Sequence, residues 1–460
     1  MIWSHFRTFA EETTTHGVAQ LVKEGAKLRV IVYALALLAG TTFLVYSFSL
    51  TVRSFIQGET YTNIEIQKKP SQDFPSLTVC PNIKYTKSAL QRHYPDINVT
   101  EAHQSLIFND NIFSLNLPGA TTMPRREFIK MLSVRSNETF THCHFGNYTT
   151  INCSDLISDL DLDVGACFSI NSLVTVQRNG VMTSDRVGRK GGFAIYVDAQ
   201  PDDELLTSEY MTGFELYIHS VEKYPGKLSI EKSKYLAPGF TYNIALRKEV
   251  YKTLPAPYST EDCYYQEDKS GVYAEYAGGF PYTDDACRLR CSEDWYWETC
   301  GCKKIDGEGE ELCSFAQLRG CRSEGLDEVD ACYETCLHTC NYVNYVTSIS
   351  SGVFPNERAV QQAISQNFPA QTYEEIHRRI LKLNIYFETF DETHITQHAR
   401  YSPSDIFSTI GGLMGLCLGV SLISVLELCE FLFKLSTIRC RKQKGVFPNH
   451  ENPNAVIEMQ

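Results

Sequence analysis

The sequence predicts an α+β membrane protein in which two transmembrane helices bracket a large, disulfide-rich extracellular domain. Three observations predict it. Two long apolar stretches without charge lie near the ends of the 460-residue chain. Fourteen of the 17 cysteines fall between Cys80 and Cys340, an even number, as an oxidised framework needs. Runs rich in β-branched and aromatic residues recur between the two stretches, with turn residues separating them.

Taken in order, residues 1–29 form a polar leader. It holds His16-Gly17 ahead of the amphipathic stretch VAQLVKEGAKL, expected as a membrane-proximal helix. Residues 30–52 carry no charge and are long enough to cross a bilayer. They lack a small-residue cleavage site, so the stretch reads as a retained helix rather than a signal peptide. Lys23, Lys27 and Arg29 precede this span, and Lys434, Arg439, Arg441, Lys442 and Lys444 follow the second. Both termini (1–29 and 434–460) are therefore expected in the cytoplasm of a multi-pass plasma-membrane protein. Residues 53–404 are then extracellular, and the glycosylation sequons at Asn98, Asn137, Asn147 and Asn152 all fall there. The net charge of −13 divides as +1 for residues 1–52, 0 for 405–460 and −14 for 53–404. That balance argues against a nucleic-acid partner, and an acidic surface concentrates cations near a pore mouth.

Within the extracellular segment, RSFIQGETYTNIEIQ reads as a strand, while residues 84–150 are mixed and resist assignment. CFSINSLVTVQ, GGFAIYVDAQ, MTGFELYIHS and FTYNIALRKEV read as strands of a sheet or barrel. Residues 263–340 are a separate module with ten cysteines. Cys287 and Cys291 are four apart, as are Cys332, Cys336 and Cys340, which places each set on one face of a helix. Two such helices can be stapled across the loop GCKKIDGEGEELC, although spacing alone leaves the pairing open. Zinc is the rival reading, disfavoured by the oxidising context and the lack of CxxC pairs. Residues 354–382 read as a charged helical segment, and LNIYFETFDETHITQHARY as a strand leading into the second span.

The second span, residues 405–433, organises the chain. Its apolar centre, Ile406–Leu426, carries Gly411, Gly415 and Gly419 at four-residue spacing, with Gly412 beside the first. Gly419, Val420 and Ser421 place small residues deep in it, and Glu427 and Glu430 stand at its far end. Gly419 and Ser421 cannot share one face of a regular helix, so the backbone is expected to leave the helix there. Cys417, Cys429 and Cys440 are expected as free thiols. Hydrolase, zinc-protease and phosphate-loop motifs are absent, which argues against an enzyme, and neither a cofactor nor a metal site is indicated.

Taken together, these motifs make the chain resemble the degenerin/epithelial sodium channel superfamily, nearest in look to its peptide-gated and acid-sensing branches. IGGLMGLCLGVSLISVLELCE resembles the pore helix, Gly419-Val420-Ser421 the G-x-S selectivity motif, and His16-Gly17 the cytosolic gating dipeptide. FPSLTVCPN, CFSIN, APGFTYNIAL, LPAPY and PYTDDACRLRC match extracellular signatures. The resemblance implies a homo- or heterotrimer in lipid, with a palm-and-ball β-core and a disulfide-stapled helical thumb. It implies a sodium-conducting pore, usually blocked by amiloride. It also implies the pairs Cys80–Cys167, Cys143–Cys153, Cys263–Cys340, Cys287–Cys336, Cys291–Cys332, Cys300–Cys321 and Cys302–Cys313. Ser408 takes the place of the gate-sensitive small residue, and Thr409 replaces its usual acidic neighbour. GETYTNIE lacks the histidine, and LLTSEYMTGFELY the acidic pair, that help acid-sensing relatives detect protons. An extracellular neuropeptide is the preferred stimulus, with proton, constitutive or mechanical gating as alternatives.

Overall fold

The computed structural model describes residues 2–23, 26–109, 112–147, 149–162, 165–207, 211–226, 232–259, 262–264, 279–305, 311–321, 326–358, 360 and 372–444. The chain divides into two compact units, Met1–Tyr61 with Ala399–Gln460, and Thr62–His398.

The larger unit is built on two sheets. One has seven strands, in the order Thr149–Ile151 partner to Phe140–Phe145, then Phe193–Asp198, Ile380–Ala399, Phe240–Lys252 and Asn341–Val353, with Thr60–Lys68 also paired to Ile380–Ala399. The other has five: Lys234–Leu236, Phe214–His219, Ser76–Pro81, Gly165–Ile170 and Ile157–Leu162. Alternation makes these strands two-faced. Leu381, Leu383, Ile385 and Phe387 turn one way from their strand and meet Leu77, Val79, Phe168 and Leu216 of the other sheet in one buried core. Phe74 sits in it, edge-on to Phe387 at 5.9 Å. The register of the parallel pair slips once. Leu246 faces Phe387, but Lys248 faces Glu392, so residues 388–391 bulge out of the long strand.

Residues 84–150, which resisted assignment from sequence, hold the short helices Lys87–His93, Val99–Asn109 and Arg125–Leu132 around Leu90, Leu106, Phe128 and Leu132. Their apolar residues are too few per turn to stand out until they are seen converging on one another. CFSINSLVTVQ is a strand only over Gly165–Ile170. Asn171 takes a left-handed conformation, and Ser172 accepts from the Thr175 N–H to start helix Leu173–Asn179. The first part of RSFIQGETYTNIEIQ is likewise helical, because helix Lys27–Ile56 continues past the apolar stretch and the strand begins at Thr60.

The cysteine module is led by helix Asp284–Cys300. Thr283 caps it, two aspartates sit in its first turn where the helix dipole favours them, and Gly301 in a left-handed conformation ends it. Its facing helix is only Leu326–Glu334. Of Cys332, Cys336 and Cys340, only the first is therefore on a helix. Beyond Glu334 the chain turns, with the Thr335 N–H bonded to Cys332 O, and Cys340 lies past the short strand His338–Thr339. The sulfurs are joined as Cys80–Cys167, Cys143–Cys153, Cys263–Cys340, Cys287–Cys336, Cys291–Cys332, Cys300–Cys321 and Cys302–Cys313. Of the segment 354–382, residues 359 and 361–371 lie outside the described residues. Helix Tyr373–Arg379 follows, and the strand already begins at Ile380.

The smaller unit holds helix Ile2–Glu12, the turn Val18–Val22, the 30-residue helix Lys27–Ile56, and helices Pro403–Leu418 and Leu422–Lys444. At 1.5 Å per residue the third is about 45 Å long, more than the hydrocarbon thickness of a bilayer. Gly40 marks its close approach to helix Pro403–Leu418, since a Cβ there would lie 3.0 Å from the carbonyl oxygen of Cys417.

Candidate functional site

The apolar stretch Ile406–Leu426 is two helices, bent by 81° where they break. The residues at the break dictate this. Gly419 adopts φ 62° and ψ 25°, a left-handed conformation that costs glycine little. Its N–H donates to Gly415 O at 2.9 Å, and the Val420 N–H donates to Met414 O at 3.3 Å, closing off the first helix. Ser421 opens the second. Its Oγ accepts from the Ser424 N–H at 3.3 Å, and Ser424 Oγ accepts from the Ser421 N–H at 3.1 Å, a reciprocal cap. The motif Gly-Val-Ser thus spells a helix stop followed by a helix start.

The N-terminal loop seats in this break. The His16 N–H donates to Leu418 O at 3.0 Å. The His16 imidazole lies so close to Gly419 that any Cβ there would collide with the ring. Gly17, at φ 83°, turns the chain away with its α-carbon against Leu37. Glu427 holds the loop from the other side. Its carboxylate accepts from the Thr14 N–H at 3.0 Å, Thr14 Oγ1 at 3.2 Å and Thr13 Oγ1 at 3.3 Å. Thr14 Oγ1 also lies 2.6 Å from Oγ of buried Ser424. Phe9 stacks on Phe431 at 4.4 Å, fixing helix Ile2–Glu12 alongside.

His16 therefore shares one locus with Gly419, Ser421 and Glu427, which lie at the other end of the sequence. Gly17 and Val420 adjoin it in the chain and Gly415 O accepts from the Gly419 N–H, while the remaining sequence-derived candidates stand apart. Glu430 is exposed and pairs with Lys434 one turn on, at 2.7 Å. Ser408, Gly411 and Gly412 are exposed, with open space around both glycine α-carbons. Thr409 is half-buried, and the nearest atom to a Cβ on Gly415 is Val420 O at 3.9 Å. Thr13, Thr14 and Ser424 are participants that sequence reading missed. The signal for them was the Thr run before His16 and the Ser-x-x-Ser spacing after Gly419. Chemically, the break puts hydroxyls and irregular backbone among apolar helices, the groups that replace water around a partly dehydrated cation.

The strand leading to this region is electrostatically organised. Glu392, 7% exposed, lies 2.5 Å from Lys248 Nζ, 3.8 Å from Lys69 Nζ and 3.3 Å from His394 Nε2. Burial works against its charge, but Lys248, with the hydrogen bonds of His394 and Gln72, outweighs burial and holds its carboxyl below the usual carboxylate range. His219 is enclosed and bonded to Thr78 Oγ1 at 2.9 Å, and burial drives its pKa down to about 4. Where the strand gives way to the second span, the Arg400 guanidinium grips the Glu59 carboxylate at 2.7 Å and the Arg400 backbone N–H donates to Glu59 O at 2.8 Å. Asn98, Asn137, Asn147 and Asn152 are all exposed.

Residues 9–431 match the family model described as amiloride-sensitive sodium channel. Among curated proteins, acid-sensing ion channel 1C of Danio rerio is 25% identical over 94% of this chain and 84% of its own length. Acid-sensing ion channel 4 of Mus musculus is 23% identical over 95% of this chain and 80% of its own. Among solved structures, a proton-activated chloride channel aligns over 88% of this chain and 98% of its own at 7% identity, with a TM-score of 0.34, too slight a likeness to argue from.

Proposed function

Because this chain belongs to the amiloride-sensitive sodium channel family, and is an ion channel rather than an enzyme, we propose that it is a plasma-membrane sodium channel opened by an extracellular ligand. The observation that carries the reading is the helix break at Gly419–Ser421 with the N-terminal loop seated in it. Three copies arranged about an axis would turn that break into a ring, with Gly419, Val420 and Ser421 as the filter and backbone oxygens replacing part of the ion's hydration shell. The open space around Gly411 and Gly412 is available for neighbouring copies to pack closely. Of the carbonyls at the break, Leu418 O is engaged by His16 within one chain, so His16 and Gly17 bear on whether the ring is complete. Both spans cross the bilayer in this reading, both termini are cytoplasmic, Glu427 and Glu430 face the inner mouth, and Asn98, Asn137, Asn147 and Asn152 carry glycans.

The preferred stimulus is a short basic neuropeptide, drawn to an extracellular domain of charge −14. A second reading, proton gating, is favoured by the acid-sensing names of the relatives. Oocyte recording tests both, with candidate peptides and an acid step applied in turn and amiloride as blocker. A sodium current that amiloride blocks supports the channel reading. Electrical silence with protein at the surface, in every subunit combination, would sink it.

A further inference from the structure

The larger unit contains a cleft of about 920 Å³ that nothing above employs. Its walls are the ends of strands Phe240–Lys252, Asn341–Val353 and Ile380–Ala399, the start of helix Asp284–Cys300, and Cys263 of the Cys263–Cys340 disulfide. Its volume falls in the range that small ligands occupy.

Its lining offers three kinds of contact. One is aromatic. Tyr251 and Tyr342 lie flat on each other at 4.8 Å and 4°, with the Tyr251 hydroxyl bonded to Glu249, and Tyr342 is still 44% exposed, so the stack ends on an open ring. The second is anionic and rigid. The Asp262 carboxylate accepts from the N–H groups of Ala256 at 3.2 Å and Cys263 at 3.0 Å, and Asp284 sits in the first helical turn beside His338 at 3.2 Å. The third is cationic, from Lys252 at the strand end and Lys223 behind it. Burial alone would weaken the charge on Lys223, but Tyr217, Asp284 and Asp285 outweigh it and raise its pKa. A lining with an open ring, fixed carboxylates and ammonium groups matches a ligand carrying a ring, a cationic group and an oxygen acceptor.

We propose that this cleft is the receptor site of the channel's extracellular agonist, and that it takes a short peptide whose ring stacks on Tyr342. The peptide's cationic group meets Asp262 and Asp284, and its C-terminal amide or carboxylate meets Lys252. The proposal rests on the ligand-opened reading above and gives that reading a location. Coupling follows from the chain itself. Ile395 and Gln397 line the cleft, Gln397 Oε1 accepts from the Leu254 N–H at 3.0 Å, and six residues later the chain enters helix Pro403–Leu418. A ligand wedged between the thumb-like helix start and these strand ends acts directly on the segment that leads to the pore.

The test uses the full chain in oocytes, with two probes. The first is a benzyl methanethiosulfonate, reacted with Lys252→Cys and with the parent chain. Ring occupancy at the cleft mouth should change the current of Lys252→Cys about threefold or more, and leave the parent unchanged, as expected if an aromatic anchor contributes most of the binding energy. The second probe is the tetrapeptide Phe-Met-Arg-Phe as its amide and as its free acid, whose comparison tells which acceptor end Lys252 prefers. Tyr342→Ala and Asp262→Asn should each raise the half-maximal peptide concentration about tenfold, with surface biotinylation unchanged. A peptide current whose half-maximal concentration is the same in both variants overturns the site while peptide gating stands. A parent chain silent to both peptides, yet conducting on an acid step, overturns the peptide reading and the site with it. Verified labelling of Lys252→Cys with no change in current overturns the coupling of the cleft to the pore.

Discussion

His16 sets its imidazole against the bare α-carbon of Gly419, and bonds its own N–H to the carbonyl of the residue before it, Leu418, at 3.0 Å. One residue thus reads both the conformation and the size of Gly419. Gly419→Ala should lose most of its current with surface expression intact. A Cβ meets the ring, and a left-handed alanine costs about 1 kcal/mol. Gly419→Arg should abolish current altogether. His16→Ala in the Gly419→Ala background should restore part of the current, because it removes the ring but not the backbone strain. Normal current through Gly419→Arg would take the motif out of the filter.

Glu427 is an acceptor for two threonines. Glu427→Ala frees the loop at Thr13–Thr14 and should raise the rate at which a thiol reagent modifies Thr14→Cys from the cytoplasmic side. Glu427→Gln keeps an acceptor oxygen and should fall between. Equal modification rates in all three would show that the loop is held without Glu427.

Ser408 is exposed near the start of helix Pro403–Leu418. A bulky residue there should keep the pore from closing and raise the basal amiloride-sensitive current. Unchanged basal current in Ser408→Phe would remove this position from the gate.

Acid should weaken the fold through His219. Its pKa falls from 6.5 to about 4 on folding, so the unfolded chain binds the extra proton between those values. Stability then rises with pH across that window and is lost on acidification, by up to about 3 kcal/mol at its lower end. Thermal melts of the purified protein should drop between pH 7 and pH 5, and His219→Gln should flatten the drop. Glu392, whose carboxyl is held low, contributes in the same sense but in a lower pH window. Its stabilisation is complete at neutral pH and fades only as pH falls through its lowered pKa.

Glu392→Gln leaves Lys248 and Lys69 facing each other without their shared counter-ion. The expected cost is about 3 kcal/mol, as for breaking a buried ion pair from one side. Glu392→Gln paired with Lys248→Met should recover part of it. Denaturation midpoints of the three proteins measure both.

Runs such as FTYNIALRKEV and GGFAIYVDAQ were legible because β-branched and aromatic residues crowd them between turn residues, whether one face or nearly the whole strand is then buried. The break at Gly419 was legible too, since residues two apart cannot share a helical face. Cys336 and Cys340 misled. Four-residue spacing is a helical signal only while the helix continues, and the turn at Thr335 ends it. The small helices of residues 84–150 stayed hidden, because each buries only a few side chains and their common core is assembled from distant turns. The docking of Thr14 on Ser424 and Glu427 spans more than 400 residues of sequence, and no local pattern encodes such a pairing.

The concentric order of three sulfur bridges bears on how the molecule is made. Cys263–Cys340, Cys287–Cys336 and Cys291–Cys332 enclose 77, 49 and 41 residues. Once the innermost has closed, the next adds only four positions on each side, so little chain entropy is left to lose. Oxidation should therefore run outward, from the Cys302–Cys313 and Cys300–Cys321 bridges that lie inside these three, through Cys291–Cys332 and Cys287–Cys336, to Cys263–Cys340, whose Cys263 lines the same cleft as Tyr342.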